Sequence, residues 1–346
     1  MNLIYVTLIC AILHVGYQTP LKSWTLQPNI LVLEVNGKVG QQALKCLHSA
    51  DGAMNGNDKD ILWKKNGEDE AQRGNSYQVY LEESLGGGNY SCHSTNGSLL
   101  NHTVVLIKED ITEKKKILVK SDLGDYLKCS TQNFEGAFQC SWTWHRTRVG
   151  KVALIRVGRE TYGECSVDSS GHHWSCSSDN INCSVDATGD GISCKDKRHC
   201  AFAEEKKRIS FKVYVRTKGF LVEDYSKHFY LSEIVKPDKV TISRLNTTMI
   251  ELTYPGSWSS PYSYFPLIFQ VSQSRHTCEN CKNPCDDSTS AETVMVNSSN
   301  TCQVEVKKKW TVCVRAKDAF CNSQWGEWNH LRLRKKGKRN QRKHTS

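Results

Sequence analysis

Residues 129–142 read Cys129-Ser-Thr-Gln-Asn-Phe-Glu-Gly-Ala-Phe-Gln-Cys140-Ser-Trp142. Two cysteines eleven positions apart pin neighbouring strands through a short disulfide loop, with an Asn133-Phe134-Glu135-Gly136 turn between them. Closing such a loop contributes about 2–3 kcal/mol. The same short-strand texture extends in both directions. Runs at 30–35, 99–107, 152–157, 209–216, 239–242, 249–253, 267–271, 304–306 and 310–316 are rich in Val, Ile and Thr and are separated by Gly, Asn, Asp or Ser turns. No long segment carries a 3.6-residue period. The expected fold class is all-β, in tandem β-sandwiches.

The chain has 346 residues, more than one hydrophobic core ordinarily organises, so two or three domains are expected. Its 16 cysteines exceed what a reducing cytosol tolerates and point to disulfides in an oxidising compartment. Residues 3–15 form the only long apolar run, too short for a typical membrane span and suited to a signal peptide within residues 1–20. The expected product is secreted, with no membrane insertion. Removing that segment takes Cys10 with it and leaves 15 cysteines, an odd number that suggests a free thiol or a bond to another chain. Eight of the bases behind the net charge of +10 lie in residues 332–346, read as a disordered tail, so the remaining body carries about +2.

Three modules follow from the cysteines and tryptophans. In residues 23–108, Cys46, Trp63 and Cys92, with Tyr90 two positions before the second cysteine, give the immunoglobulin pattern of an inter-sheet disulfide, a packed indole and a tyrosine-tied corner. Residues 110–235 hold the Cys-x10-Cys-x-Trp hairpin. Lys236-Pro237 reads as an extended linker. Residues 237–331 end in Trp325-Gly326-Glu327-Trp328-Asn329.

The hairpin and this terminal box together resemble the cytokine-binding modules of class I haematopoietic receptors, two fibronectin type III domains in tandem. In that family's Trp-Ser-x-Trp-Ser box the indoles interleave with arginines, a cation–π ladder of about 0.5–2 kcal/mol per contact. The resemblance makes Arg315 the rung between Trp325 and Trp328. Gly326 and Asn329 replace the two serines, which leaves the stacking and removes the serine hydroxyls. An immunoglobulin domain before two such modules, with residues 254–265 (Tyr-Pro-Gly-Ser-Trp-Ser-Ser-Pro-Tyr-Ser-Tyr-Phe), 194–205 and the Asn133–Gly136 turn, is similar to the receptor-like beta subunits of the interleukin-12 family.

That resemblance implies binding, not catalysis. In the family a four-helix-bundle alpha subunit docks at the elbow of the last two domains and presents an arginine. The motif places the receiving acid at Asp318, with Phe134, Tyr264 and Phe320 as aromatic walls. A desolvated carboxylate can hold a guanidinium by two parallel hydrogen bonds. The resemblance also implies a Cys165–Cys194 bond and an interchain disulfide from Cys200. Cys46–Cys92 and Cys129–Cys140 follow from the domain patterns, and Cys176–Cys183 is the simplest pairing of the extra two. The six cysteines of the third module allow fifteen connectivities. The first domain is expected to engage a cell-surface cytokine receptor in immune signalling.

Rival readings remain at the sequence level. Cys278, Cys281, Cys285 and Cys302 have spacing a zinc ion accepts, although a secreted chain favours disulfides. A stand-alone soluble cytokine receptor would share the elbow. A matrix glycosaminoglycan binder would use the basic tail toward heparan sulfate. No His-Glu-x-x-His, Gly-x-Ser-x-Gly or phosphate loop suggests an enzyme, and no cofactor or nucleic-acid partner is expected. Of the sequons, Asn96, Asn101, Asn182, Asn246 and Asn297 are expected to carry glycans, and Asn89, between Gly88 and Tyr90, is not.

Overall fold

The structure, a computed structural model, describes residues 21–35, 40–47, 60–82, 85–109, 115–147, 150–167, 173–202, 204–259, 265–274, 285, 291–295, 301–307, 310–321 and 323–333. The signal segment, most of the basic tail, Tyr264, Asn297, Cys278 and Cys281 lie outside the described residues. Among the described residues no helix is long and apolar enough to cross a membrane.

Among the described residues eight strands come first: β1 (Lys22–Gln27), β2 (Ile30–Val35), β3 (Gly40–Lys45), β4 (Leu62–Lys65), β5 (Glu68–Arg73), β6 (Ser76–Leu81), β7 (Gly88–His93) and β8 (Leu99–Glu109). They form a six-stranded sheet, β1-β2-β8-β7-β4-β5, and a β3-β6 pair. Next are β9 (Leu127–Ser130), β10 (Ala137–Trp142), β11 (Lys151–Gly158), β12 (Tyr162–Val167), β13 (Trp174–Ser177), β14 (Ile181–Val185), β15 (Gly191–Asp196), β16 (Ile209–Arg216) and β17 (Val222–Phe229). These make the sheets β14-β15-β10-β9 and β13-β12-β11-β16-β17. Last come β18 (Thr241–Arg244), β19 (Met249–Thr253), β20 (Leu267–Ser274), β21 (Ala291–Met295), β22 (Thr301–Glu305), β23 (Thr311–Asp318) and β24 (Asn329–Arg332), in sheets β18-β19-β22 and β21-β20-β23-β24. The fold is all-β, in tandem sandwiches.

Two compact units emerge. One comprises Met1–Val119, Thr143–Leu154 and Val213–Tyr225. The other comprises Lys120–Trp142, Ile155–Lys212 and Ser226–Ser346, so the middle module is shared between them.

In the first unit the immunoglobulin pattern is realised in full. Cys46 bonds Cys92, and Trp63 lies 5.3 Å from Tyr77, which lies 5.3 Å from Tyr90. Tyr90 donates its hydroxyl to the Gly86 carbonyl at 2.7 Å, and burial pushes that phenol up to about 12. Gly86 sits at φ 102°, where a side chain would strike the Tyr80 carbonyl at 2.5 Å, so the corner turns on a glycine that only glycine can supply. Asn96 is exposed, but the Asn101 amide nitrogen, the atom a glycan would take, donates inward to the Cys46 carbonyl at 2.8 Å. The fold therefore argues against the glycan expected at Asn101. Asn182 and Asn246, in the second unit, are exposed.

In the second unit the cysteine pairing departs from expectation. Cys165 bonds Cys176, and Cys183 bonds Cys194. Cys165–Cys194 and Cys176–Cys183 do not form. The reason is register: Cys165 lies opposite Cys176 in the β12–β13 hairpin, and Cys183 opposite Cys194 in β14–β15, as Cys129 lies opposite Cys140 in β9–β10. Directly opposed residues have side chains close enough to bond. Cys285 bonds Cys313, which removes it from any zinc site, and among the described residues no cluster could hold a metal. Cys302 and Cys321 are free, as is Cys200.

The terminal box stacks as expected. The Arg315 guanidinium lies 4.9 Å from the Trp325 ring centre and 4.4 Å from that of Trp328. Its Nε donates to Gln270 at 2.6 Å. The serine replacements have their own logic. A side chain at Gly326 would meet the Pro237 carbonyl at 2.6 Å, while the Gly326 N–H donates to the Ala316 carbonyl at 2.7 Å. Asn329 donates its amide to the Val240 carbonyl at 2.8 Å.

Candidate functional site

The elbow residues belong to the second unit, where three chain segments meet. The first is the turn between β9 and β10. Thr131 holds it by donating to the Asn133 carbonyl at 2.8 Å, and Asn133 accepts the Glu135 N–H at 3.0 Å. Gly136 closes it at φ 83°, packed so tightly that a Cβ would lie 2.8 Å from the His199 ring. The turn pushes Phe134 into the apolar core of the last module. Phe134 is 3% exposed, 5.7 Å from Trp258 and 4.7 Å from Phe265. As an open pocket wall Phe134 is therefore corrected: it is a plug that fixes the elbow. The linker is fixed too: the Thr131 N–H donates to the Ile234 carbonyl at 3.0 Å, and the Thr131 carbonyl accepts the Lys236 N–H at 2.7 Å.

The second segment is the turn after β23. Asp318 ends that strand opposite Leu267 and is fully buried. One carboxylate oxygen accepts the N–H groups of Phe320 and Cys321, both at 2.7 Å. Its own N–H donates to the Ser323 hydroxyl at 2.9 Å. The other oxygen is buried with no hydrogen-bond partner among the described residues, and the Cys321 thiol also bonds to the carboxyl. Burial pushes the carboxyl above its usual range, although the two N–H donors pull the other way. Cys321 packs on the edge of the Phe134 cluster, and burial with the neighbouring Asp318 charge pushes its thiol up to about 11. Phe320 is 72% exposed. A partnerless buried carboxylate oxygen costs free energy and calls for a function.

The third segment is the loop between β15 and β16, which carries Cys200 half-buried and free. His199, its neighbour, lies against Gly136 and so against the Phe134 turn. Phe202, two residues on, is 59% exposed. Asp318, Phe320 and Cys321 thus share one turn, Phe134 lies under it in a common core, and Cys200 adjoins the Phe134 turn. No spacing or motif pointed to Cys321 at the Asp318 carboxyl. A polar groove of about 680 Å³ beside the Phe134 turn is lined by Thr131, Asn133, Lys236, Asp238 and Glu327 among others, and does not include Asp318. Buried, unpaired acceptor chemistry decides for the Asp318 turn over this groove, whose charged groups are solvated.

A family model described as cytokine interleukin-12p40 C-terminus matches residues 124–217, which contain the Cys129–Cys140 hairpin and the Cys200 loop. An interleukin-12 subunit beta from Sigmodon hispidus is 27% identical over 319 residues, covering 88% of this chain and 91% of the relative. One from Lama glama is 26% identical with the same coverage, and one from Homo sapiens is 27% identical over 270 residues, 74% of this chain and 76% of the relative. The chain is thus similar to interleukin-12 beta subunits, through a family match over the disulfide hairpin and alignments that run nearly the full length of such relatives.

Proposed function

We propose that the chain is the secreted, receptor-like beta subunit of a heterodimeric cytokine. A four-helix-bundle alpha subunit docks at the elbow, its cationic side chain entering against Asp318, and Cys200 bonds it covalently. The first domain then presents the pair to a cell-surface cytokine receptor, and the basic tail adds affinity for heparan sulfate. The observation that carries this reading is the orphaned oxygen of Asp318. A guanidinium would supply the hydrogen bond that the described residues do not, and bring the counter-charge that burial demands. Because Asp318 is fully buried, docking requires the 319–321 segment to yield, and exposed Phe320 is the side chain a partner meets first.

The test is co-expression with four-helix alpha chains of the same organism. Asp318→Ala is expected to weaken association by about 2–5 kcal/mol, read as a faster dissociation rate. Cys200→Ser is expected to abolish the covalent species on a non-reducing gel. An unchanged dissociation rate for the first variant removes Asp318 from the interface. A purified wild-type chain that stays monomeric with a capped thiol favours a stand-alone soluble receptor instead.

A further inference from the structure

The loop that carries Cys200 leaves β15 at Asp196 and enters β16 at Ile209. Both of its ends close on one side chain. Arg159, just past β11, donates Nε to Asp196 at 2.9 Å, and its other nitrogens donate to the Glu205 carboxylate and the Lys207 carbonyl. The Arg159 side chain is 15% exposed, that of Asp196 0% and that of Glu205 2%. The remaining oxygens are used as well. Asp196 accepts the Arg198 N–H at 2.9 Å, and Glu205 accepts the Ser232 N–H at 3.4 Å. Lys207 continues the clasp by pairing with Glu160. The span between the two tethers, called the arch below, has His199, Cys200, Ala201, Phe202 and Glu204 among its described residues, with Cys200 near the middle of the sequence it covers.

We propose that Arg159 is a positioning residue for Cys200: it ties both feet of the arch and so aims the thiol at a docked partner's cysteine. Only a planar guanidinium has the forked donors to bridge two carboxylates and a carbonyl at once; a lysine ammonium can keep the charge but not the geometry. Holding the arch lowers the entropy lost when the sulfurs meet, which raises the effective concentration of one thiol at the other. The inference rests on Cys200 being the interchain cysteine. In the step itself, one sulfur–sulfur bond forms between Cys200 and the partner thiol. The two thiol protons and two electrons pass to the disulfide of a secretory-pathway dithiol oxidant, whose sulfur–sulfur bond breaks to give two thiols.

The experiment uses the full chain co-expressed with a four-helix alpha chain. It compares Arg159→Gln, Arg159→Lys and Glu205→Gln, each alone and with Cys200→Ser. The readouts are the covalent fraction on a non-reducing gel, non-covalent assembly in the Cys200→Ser background, and hydrogen exchange of amides 198–204. Arg159→Gln is expected to lower the covalent fraction by about fivefold or more and to speed exchange, with non-covalent assembly within about twofold of the control. Arg159→Lys should recover part of the loss. A covalent fraction unchanged in Arg159→Gln overturns the inference, and so does a loss of non-covalent assembly in step with it. If Arg159→Gln is not secreted, Glu205→Gln decides: unaltered linking and unaltered exchange overturn the clamp. Covalent dimer persisting in Cys200→Ser instead sinks the underlying assignment of Cys200, and the exchange result alone then judges the clamp.

Discussion

The Phe134 ring meets the Trp258 indole nearly edge-on, at 67° and 5.7 Å between centres, although the two residues belong to different modules. Trp258 is itself anchored, donating Nε1 to the Phe265 carbonyl at 2.7 Å. A turn residue of one sandwich is thus core for the next. Phe134→Ala should cost about 3–5 kcal/mol in the unfolding of the last module, measured by denaturant titration with tryptophan fluorescence as the probe. A loss below about 1 kcal/mol would mean that the ring does not support the elbow.

Asp318 makes a stability prediction opposite in sign to its proposed binding role. A carboxyl whose folded value is raised binds a proton more readily folded than unfolded. Its contribution is therefore fully present below the ordinary carboxylate range and is lost as pH rises through its raised folded value. Asp318→Asn keeps an acceptor for Phe320 and Cys321 and removes the buried charge. The free chain should melt no lower than wild type at neutral pH and lose that part of its pH dependence, while partner capture falls. A variant that melts well below wild type at pH 7 would contradict the cost assigned to the orphaned oxygen.

Tyr90 sets an alkaline limit. Its phenol is pushed up to about 12 from an ordinary value near 10, so stability falls as pH rises from the unfolded value through the folded one. Tyr90→Phe should cost about 1 kcal/mol at neutral pH through the lost bond to Gly86 and flatten the decline between about pH 10 and 12. Thermal melting at stepped pH measures both.

Gly326→Ala tests the altered box. The new methyl would meet the Pro237 carbonyl, so the variant should lose about 1–3 kcal/mol, even though alanine is otherwise milder than serine there. Arg315→Lys should weaken the stacking on Trp325 and Trp328 by about 0.5–2 kcal/mol. Differential scanning calorimetry reads both losses.

Peptide mapping without reduction checks the pairing. Linked peptides Cys165–Cys176 and Cys183–Cys194 are expected, and a Cys165–Cys194 peptide would refute the register described.

Strands with alternating or continuous apolar side chains were legible without coordinates: residues 30–35, 209–216 and 249–253 form β2, β16 and β19 with unchanged ends. The strands Trp174–Ser177 and Ile181–Val185 were not, because Ser, Cys and Asn carry no hydrophobic period for a reader to follow. The Tyr90 corner could be read because a fixed spacing encodes it, and the Arg315 ladder because the terminal box resembles that of a known family. The cysteine pairing could not, since four cysteines admit three connectivities and only strand register chooses among them. The resemblance singled out Asp318, but its burial and its contact with Cys321 depend on how a turn folds back, which spacing does not record.

Each of the three disulfides in the middle module spans eleven residues and joins the two arms of one hairpin. Such a bond can close as soon as its own hairpin has left the ribosome, before the sandwich around it exists. Oxidation can then proceed in chain order, pair by pair: 129 with 140, 165 with 176, 183 with 194. Cys200 emerges after all of them, when every earlier thiol of its module already has a local mate. The timetable of synthesis itself would leave that sulfur reduced and waiting for a second chain.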